Sequence, residues 1–560
     1  MEKKKEKGVL EGVKSIEDCL LHAQELVPLA VSNAKGVKGF VSRWKMIMLR
    51  LDQIPRNLSD LSSHPCFSKN VLFSEQLQAV SSTLKESIEL AELCINESYK
   101  GKLRMQNDLD SLMGKLDLNL KDCGLLIKTG VLGEVTLPLS RTGTMERTDI
   151  VISGNIRELL ARLQIGQLEA KHRALDGLVE AMKNEESSVL TVMGRSNVAS
   201  LVHLLTATSP VIREKTVSLI CSLVESGCCE KWLVSEGVLS PLIRLLESGS
   251  ALGKEKATIS LQRLSLSSET SRAIAGHGGI PPLIEICHSS SDSVLQEAAA
   301  CALKNLSAVP EVRQSLVDEG IVKVMTNLLG HGIQLGSKEY AAECLRNLTS
   351  NDKLRISVVS GGGVESLLAY LDGPLPQESA ACALRNLVNS VSVQKLVAMG
   401  FLPCLVHVLQ AGSLGAQQAA ASAICKVCSS LEMKKLIGEA GCIPLLIKLL
   451  EGNSNNVKEG SAQAIANLIT HPLNCKEVKR NDRSIPNLVQ LLDPYPQNCS
   501  KKYAVSCLIL LSHSRKRKKL MISYGAIGYL KKLTEMDIPG SKKLLDRLER
   551  GRLKSLFIRK

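Results

Sequence analysis

The side chains in this sequence best placed to do chemistry are amides that recur. The residue before the last Leu of successive apolar helical segments is Ser222, Arg263, Asn305, Asn347, Asn386, Lys426, Asn467 and Leu510. A carboxamide carries a donor and an acceptor, so each such Asn is able to pair with any peptide unit regardless of sequence. Lys304, Arg346 and Arg385 immediately precede three of the asparagines, and Arg263 and Lys426 occupy ladder positions themselves. Such a stripe of cations favours an acidic partner segment and speeds its arrival. Two other readings stay open: each Asn stabilises its own helix end, and the cations form a solvated face whose stems cover neighbouring helices. Four net hydrogen bonds at roughly 0.5–1.5 kcal/mol each give only weak binding before ordering costs, so side-chain contacts must supply the rest.

Other motifs point to packing rather than catalysis. Cys425 and Cys428 have C-x-x-C spacing but lie inside a helical segment with no second pair or His partner, which favours a core role over metal or redox use. The ten histidines are dispersed, and no phosphate loop or dinucleotide fingerprint is present. The sequence therefore predicts no enzyme activity, no metal and no cofactor. Arg515, Lys516, Arg517, Lys518 and Lys519 form the densest charge run, expected in a loop after the Ser506–Ser512 segment. A solvated cap, a localisation signal, a nucleic-acid contact and a peripheral membrane contact are its open readings. The final stretch from Ser541 reads as a basic amphipathic helix that seals the last unit, with no interleaved aromatics to stack bases.

The elements that carry the ladder repeat. Aligned on a small opening residue, copies start at Gly237, Gly279, Gly320, Gly363, Gly400, Gly441, Arg483 and Gly525, in steps of 42, 41, 43, 37, 41, 42 and 42 residues. In the copy from Gly279 to Ser307, GIPPLIEIC is followed by a polar break and then QEAAACALKNLS, two helices joined by a turn. Helical self-similarity at this period marks a solenoid whose units bury their apolar faces only by stacking. The opening Gly permits a positive φ or a close helix approach, and Pro soon after it sits in a first turn where its missing N–H costs nothing.

Length and charge set the frame. A chain of 560 residues is too long for one closed core, whereas a solenoid adds core linearly. The net charge of +14 is uneven: residues 501–560 hold 17 Lys and Arg against 4 Asp and Glu, and residues 1–500 hold 53 against 52. The 18 cysteines are scattered on apolar helix positions with no disulfide spacing, and a charged start without an apolar run follows no secretory pattern, so the cytoplasm or nucleus is expected. No apolar run suits a membrane span. Residues 9–130 lack the repeat but carry helical periodicity over about 9–34, 36–63, 68–98 and 101–129. The expected organisation is a four-helix bundle over 1–130, a linker over 131–150, a repeat array over 151–535 and a basic capping helix over 536–560.

The GxIPxLVxLL helix followed by AxxALxNL resembles the armadillo repeat of importin-α, β-catenin and plant U-box proteins, over about residues 152–535 and some nine units. The resemblance implies an all-α, right-handed superhelical solenoid whose concave groove is lined by Asn305, Asn347, Asn386 and Asn467, each pairing with the main chain of an extended peptide. The helical N-terminal region is similar to plant armadillo proteins in which such a domain precedes a U-box. Here no U-box intervenes, so ligase activity is not implied. The import receptors place a Trp four residues before each Asn; this chain has Cys301, Glu343, Cys382 and Gln463 there, which argues against cargo import. The resulting expectation is a protein-interaction scaffold whose groove takes extended, acidic segments, with the bundle docking a second partner or mediating self-association. A ubiquitin-pathway regulator or degenerate ligase is the alternative. Nucleic-acid or anionic-membrane binding by the basic C-terminus is a third.

Overall fold

A computed structural model describes residues 15–64, 67, 71–99, 101–129, 147–165, 168–374, 377–495 and 500–556. Among these residues the chain is all α, with three short 3-10 turns in the array and no strand. It divides into two compact units, Met1–Pro241 and Leu242–Lys560.

The first unit opens with α1 (Ile16–Gly36), α2 (Val41–Leu51), α3 (Ile54–Ser62), α4 (Val71–Ile95) and α5 (Lys102–Thr129). Five helices thus replace the expected four, because the second predicted segment breaks. Met48 and Arg50 carbonyls close α2 at Asp52, and Pro55, which has no N–H to continue a helix, sits in the first turn of α3. Ser15 starts α1 by accepting from Asp18 N–H while the Asp18 carboxylate accepts from Ser15 N–H; the expected start at residue 9 lies outside the described residues.

Side-chain pairs give the directions. Cys19 meets Ser74, and Asn33 meets Glu92, so α1 and α4 run parallel. Arg43 and Arg50, seven residues apart, each form a two-point bridge to Asp110 and Asp117, also seven apart, which lays α2 parallel to α5. Each guanidinium lowers the pKa of its aspartate.

The leading helices of the array, α6 (Arg147–Gln164) and α7 (Leu168–Asn184), belong to this unit. Ala161 and Ile165 enter the same apolar core as Leu77, Leu109 and Leu116, and Arg162 reaches Glu75 at 2.9 Å. The expected boundary at 131–150 therefore does not separate two cores. Residues 131–146 of that linker lie outside the described residues, and 147–150 are already helical.

Among the described residues from Glu186 onward, a first and usually short helix, a middle helix and a long third helix follow one another nine times. The first set is Glu186–Val192, Arg195–Leu204 and Pro210–Glu225, and the ninth is Arg515–Ser523, Ala526–Glu535 and Ser541–Leu556. The last described helix is thus the third member of a repeat. In the second unit each third helix packs on the third helix of the next repeat, and Leu303, Leu345 and Leu384 on these helices are buried. The fold is an all-α armadillo-type solenoid.

The glycines that open the middle helices divide two jobs. Those in the left-handed region are Gly237, Gly278, Gly320, Gly362, Gly400, Gly441 and Gly525, so Gly278 and Gly362, one residue before Gly279 and Gly363, hold the turn. Gly279 has an ordinary φ of −74°, but a Cβ there would stand 2.7 Å from Ile274 Cγ2 and 3.0 Å from the Ile274 carbonyl oxygen. Gly441, at φ 84°, has open space around its missing Cβ. Gly441→Ala should cost about 1–2 kcal/mol of backbone strain in denaturant unfolding, and Gly279→Ala about 1–3 kcal/mol of overpacking. An Ile274→Ala background should relieve part of the second loss and none of the first.

Candidate functional site

The ladder residues lie near the C-terminal ends of the third helices, and in the second unit a hydroxyl two residues further on ties them together. Ser265 donates to the Gln262 carbonyl at 2.6 Å, and Asn305 Nδ2 of the next repeat donates to its Oγ at 2.9 Å. Ser307 donates to the Lys304 carbonyl at 2.6 Å while Asn347 Nδ2 donates to Ser307 Oγ at 3.0 Å. Thr349 donates to the Arg346 carbonyl at 3.0 Å and accepts from Asn386 Nδ2 at 3.3 Å. Three successive junctions therefore carry the same relay, from a helix-end carbonyl through a hydroxyl to the amide of the following repeat.

A second polar contact turns the corner into the next short helix. The carbonyls of Ser265, Ser307, Thr349 and Leu468 accept from the residue six positions later: Ser271 at 2.7 Å, Arg313 at 2.8 Å, Arg355 at 2.8 Å and Asn474 at 3.1 Å. These groups satisfy carbonyls that the helix ends leave without an intrahelical partner. Neither set was singled out in the sequence. The signal was visible, because the Asn-Leu-Ser and Asn-Leu-Thr triplets at Asn305 and Asn347 place the relay hydroxyl two residues after the amide.

The asparagines consequently differ in what they leave available. Asn305 is 8% exposed, and its amide nitrogen donates to both Gln262 O, at 3.3 Å, and Ser265 Oγ. Asn386 is 9% exposed; its Nδ2 serves Thr349 and its Oδ1 accepts from Arg385 at 3.3 Å. Asn347 and Asn467 are half-buried. Asn347 keeps its Oδ1 and its second N–H, and the Asn467 side chain interacts with the Cys425 thiol.

The cations are graded too. Lys304 Nζ stands 5.3 Å from the Tyr340 ring centre and 4.0 Å from Glu343, whose other oxygen accepts from Arg346 at 2.9 Å. One carboxylate thus serves two cations from adjacent repeats, at a position where the sequence comparison noted the missing Trp. Arg355 pairs with Asp352 at 2.6 Å. Lys426 is exposed, yet its ammonium pKa is lowered, first by burial of part of the side chain and then by the positive charge of Arg355 and Arg385, against a smaller opposing pull from Asp352. Arg385 and Arg346 both act on the thiol of Cys382. Arg346, Arg385 and Lys426 therefore share one positively charged stretch across repeats four to six, whereas Arg263 stands exposed two repeats before the first of them.

Burial pushes the thiols of Cys425 and Cys428 up to about 12, so both stay protonated near neutrality, when a metal or redox site needs thiolates. No group of three or more His, Cys, Asp or Glu among the described residues is placed to hold a metal ion. No described helix is long and apolar enough to cross a membrane. The basic run is not in a loop: Arg515–Lys519 form the first turns of Arg515–Ser523, with Ser514 at the N-cap position and no side-chain capping bond from it. The short break after Leu511 leaves room for only three residues before the ninth repeat begins.

Two family resemblances cover parts of the chain. Residues 267–308 and 430–470 match the armadillo/β-catenin-like repeat, and residues 21–131 match a domain of unknown function, DUF7032. The chain carries armadillo repeats. A crystal structure described as an engineered protein is similar over 71% of this chain and 98% of its own, with 26% identity and a TM-score of 0.60. A designed armadillo repeat protein aligns over 41% of this chain and 98% of its own, with 20% identity and a TM-score of 0.37. Among curated proteins there is no match.

Two outcomes test this geometry. Asn305→Ala leaves Ser265 Oγ and the Gln262 carbonyl short of a donor and should lower stability by about 1–3 kcal/mol in urea unfolding. The thiols of Cys344, Cys404, Cys425, Cys428, Cys442 and Cys507 all titrate at about 12 when folded, against an ordinary 9.0. Their raised values favour the folded state fully below pH 9.0, and that contribution drains away as pH climbs toward about 12, because the unfolded chain then binds fewer protons. The melting temperature should therefore fall over this window, and fall less steeply in Cys425→Ala/Cys428→Ala.

Proposed function

We propose, on the premise that this chain carries armadillo repeats and that such scaffolds mediate protein–protein interaction, that the third helices of repeats four to six line a groove for an extended acidic protein segment. The chain is then a non-enzymatic adaptor. The observation that carries the reading is the crowding of Arg385, Lys426 and Arg355, where partial burial first, and like charge after it, lower the Lys426 pKa. A carboxylate laid between Arg385 and Lys426 relieves that repulsion and adds charge-assisted hydrogen bonds.

The amides divide the work in this proposal. Asn347 and Asn467, with polar atoms to spare, read the main chain of the guest, whereas Asn305 and Asn386 hold the repeats in register. Lys304 and Arg346, already sharing Glu343, contribute less to attraction than Arg385 and Lys426 do. Arg263 extends the positive field beyond the central stretch and adds to the rate of encounter. The bundle supplies a second docking face or a self-association face; around Trp44, a cavity of about 490 Å³ opens beside the exposed side chains of Val41 and Leu49.

Fluorescence anisotropy with a labelled peptide of alternating Asp and Ala, and a control in which Asn replaces Asp, tests the groove. The acidic peptide should bind and the control should not. Arg385→Glu/Lys426→Glu should reduce affinity more than about tenfold, since each charge-assisted contact contributes about 1.5–3 kcal/mol. Equal binding of both peptides, or an unchanged affinity in the double variant, would sink the proposal.

A further inference from the structure

The ninth repeat carries a second charged surface, remote in sequence from the central cations. Arg515, Lys516 and Lys519 are exposed on its first helix, and so are Leu520, at 37%, and Tyr524, at 50%, just past the helix end. Residues 516, 520 and 524 succeed one another at intervals of four, with 515 and 519 alongside, so cations and apolar groups share one face. None of Arg515–Lys519 is in an ion pair among the described residues. Helix stability does not account for them either, because cations in a first turn oppose the positive end of the helix dipole.

The repeat's third helix, Ser541–Leu556, packs against this first helix and adds to the charge. Lys542, Lys543, Arg547 and Arg550 surround a cavity of about 540 Å³ in which Asp546 is the one acidic lining residue among those described. Arg547 is fixed by the Ile509 carbonyl at 3.1 Å and Ser512 Oγ at 3.4 Å.

We propose that this face of the ninth repeat docks the protein on an anionic lipid surface. Acidic headgroups match the unpaired cations in charge. Leu520 and Tyr524, standing out beside them, match the interfacial zone beneath the headgroups, where an apolar side chain loses water and a tyrosine keeps its hydroxyl wet. A nucleic acid would use the cations alone: Leu520 would gain nothing, and a single exposed tyrosine is no platform for successive bases. Binding of this kind is peripheral, electrostatic and salt-sensitive.

The test is cosedimentation of the full chain with phosphatidylcholine vesicles and with vesicles containing about 30% phosphatidylserine, at about 0.1 M salt. Binding should be at least about tenfold stronger to the anionic vesicles. Arg515→Gln/Lys516→Gln/Lys519→Gln should lose about fivefold per cation, about a hundredfold together, with an unchanged circular dichroism spectrum. Leu520→Ser/Tyr524→Ser should lose several-fold affinity with the salt dependence retained. Equal binding to both vesicle types, or full binding by the folded triple variant, overturns the proposal. So does an oligonucleotide that competes the vesicles away while the Leu520/Tyr524 variant binds as well as the parent.

Discussion

Every repeat in this chain leaves an apolar face that only its neighbour covers. Leu303, Leu345 and Leu384 on successive third helices are buried, and in a stacked array burial of this kind depends on the arrival of the next repeat. The remainder of the design follows from that dependence. Repeats must sit close, so alanines recur on the third helices and glycines stand where even a Cβ would collide, as at Gly279. They must also sit in register, which dispersion forces alone do not specify, because an apolar face tolerates sliding. The hydroxyl-to-amide relay supplies the direction that packing lacks, since a hydrogen bond is lost within a displacement that a leucine hardly notices.

The relay also changes how the ladder amides relate to recognition. An Asn buried at a junction with both amide hydrogens engaged, like Asn305, has little left for a guest. The positions that remain chemically open are Asn347, which spends one N–H on the relay and keeps its other polar groups, and Lys426 and Asn467, which no relay hydroxyl precedes. Recognition and cohesion draw on the same row of side chains, and the structure separates them by burial. The bundle follows another logic: its two parallel arginine–aspartate bridges lie at the surface, where they orient α2 on α5 more than they stabilise it.

Much of this was legible in the residue order. The third helices show a strong apolar period, and the roughly 42-residue recurrence names the solenoid without any coordinates. What escaped were features set by single residues or by distant ones. Pairs of glycines at 278–279 and 362–363 present two candidates for one turn, and only the backbone shows which adopts the positive φ. The break between α2 and α3 is hidden because Pro55 is acceptable within a helix's first turn. The union of α6 with the bundle core depends on Ala161 and Ile165 meeting helices some forty to ninety residues earlier, a long-range match with no local signature. Charge misled at Arg515, since a dense basic run reads as a loop although arginine and lysine are good helix formers.

The relay ends after its third junction. After Asn386 the hydroxyl position holds Val388, and the following ladder residue is Lys426, so the junction between the fifth and sixth repeats has no hydroxyl-to-amide link along this row. In mechanical terms the row is a zip whose teeth end there, and the fifth and sixth repeats are held by packing and by links off the row, between His407 Nε2 and the Gly373 carbonyl at 2.7 Å and between Lys395 and Glu365 at 3.8 Å. The gap lies beside Arg385 and Lys426. Arg385 and Lys426 thus crowd their charge where the row itself offers no relay link to be broken.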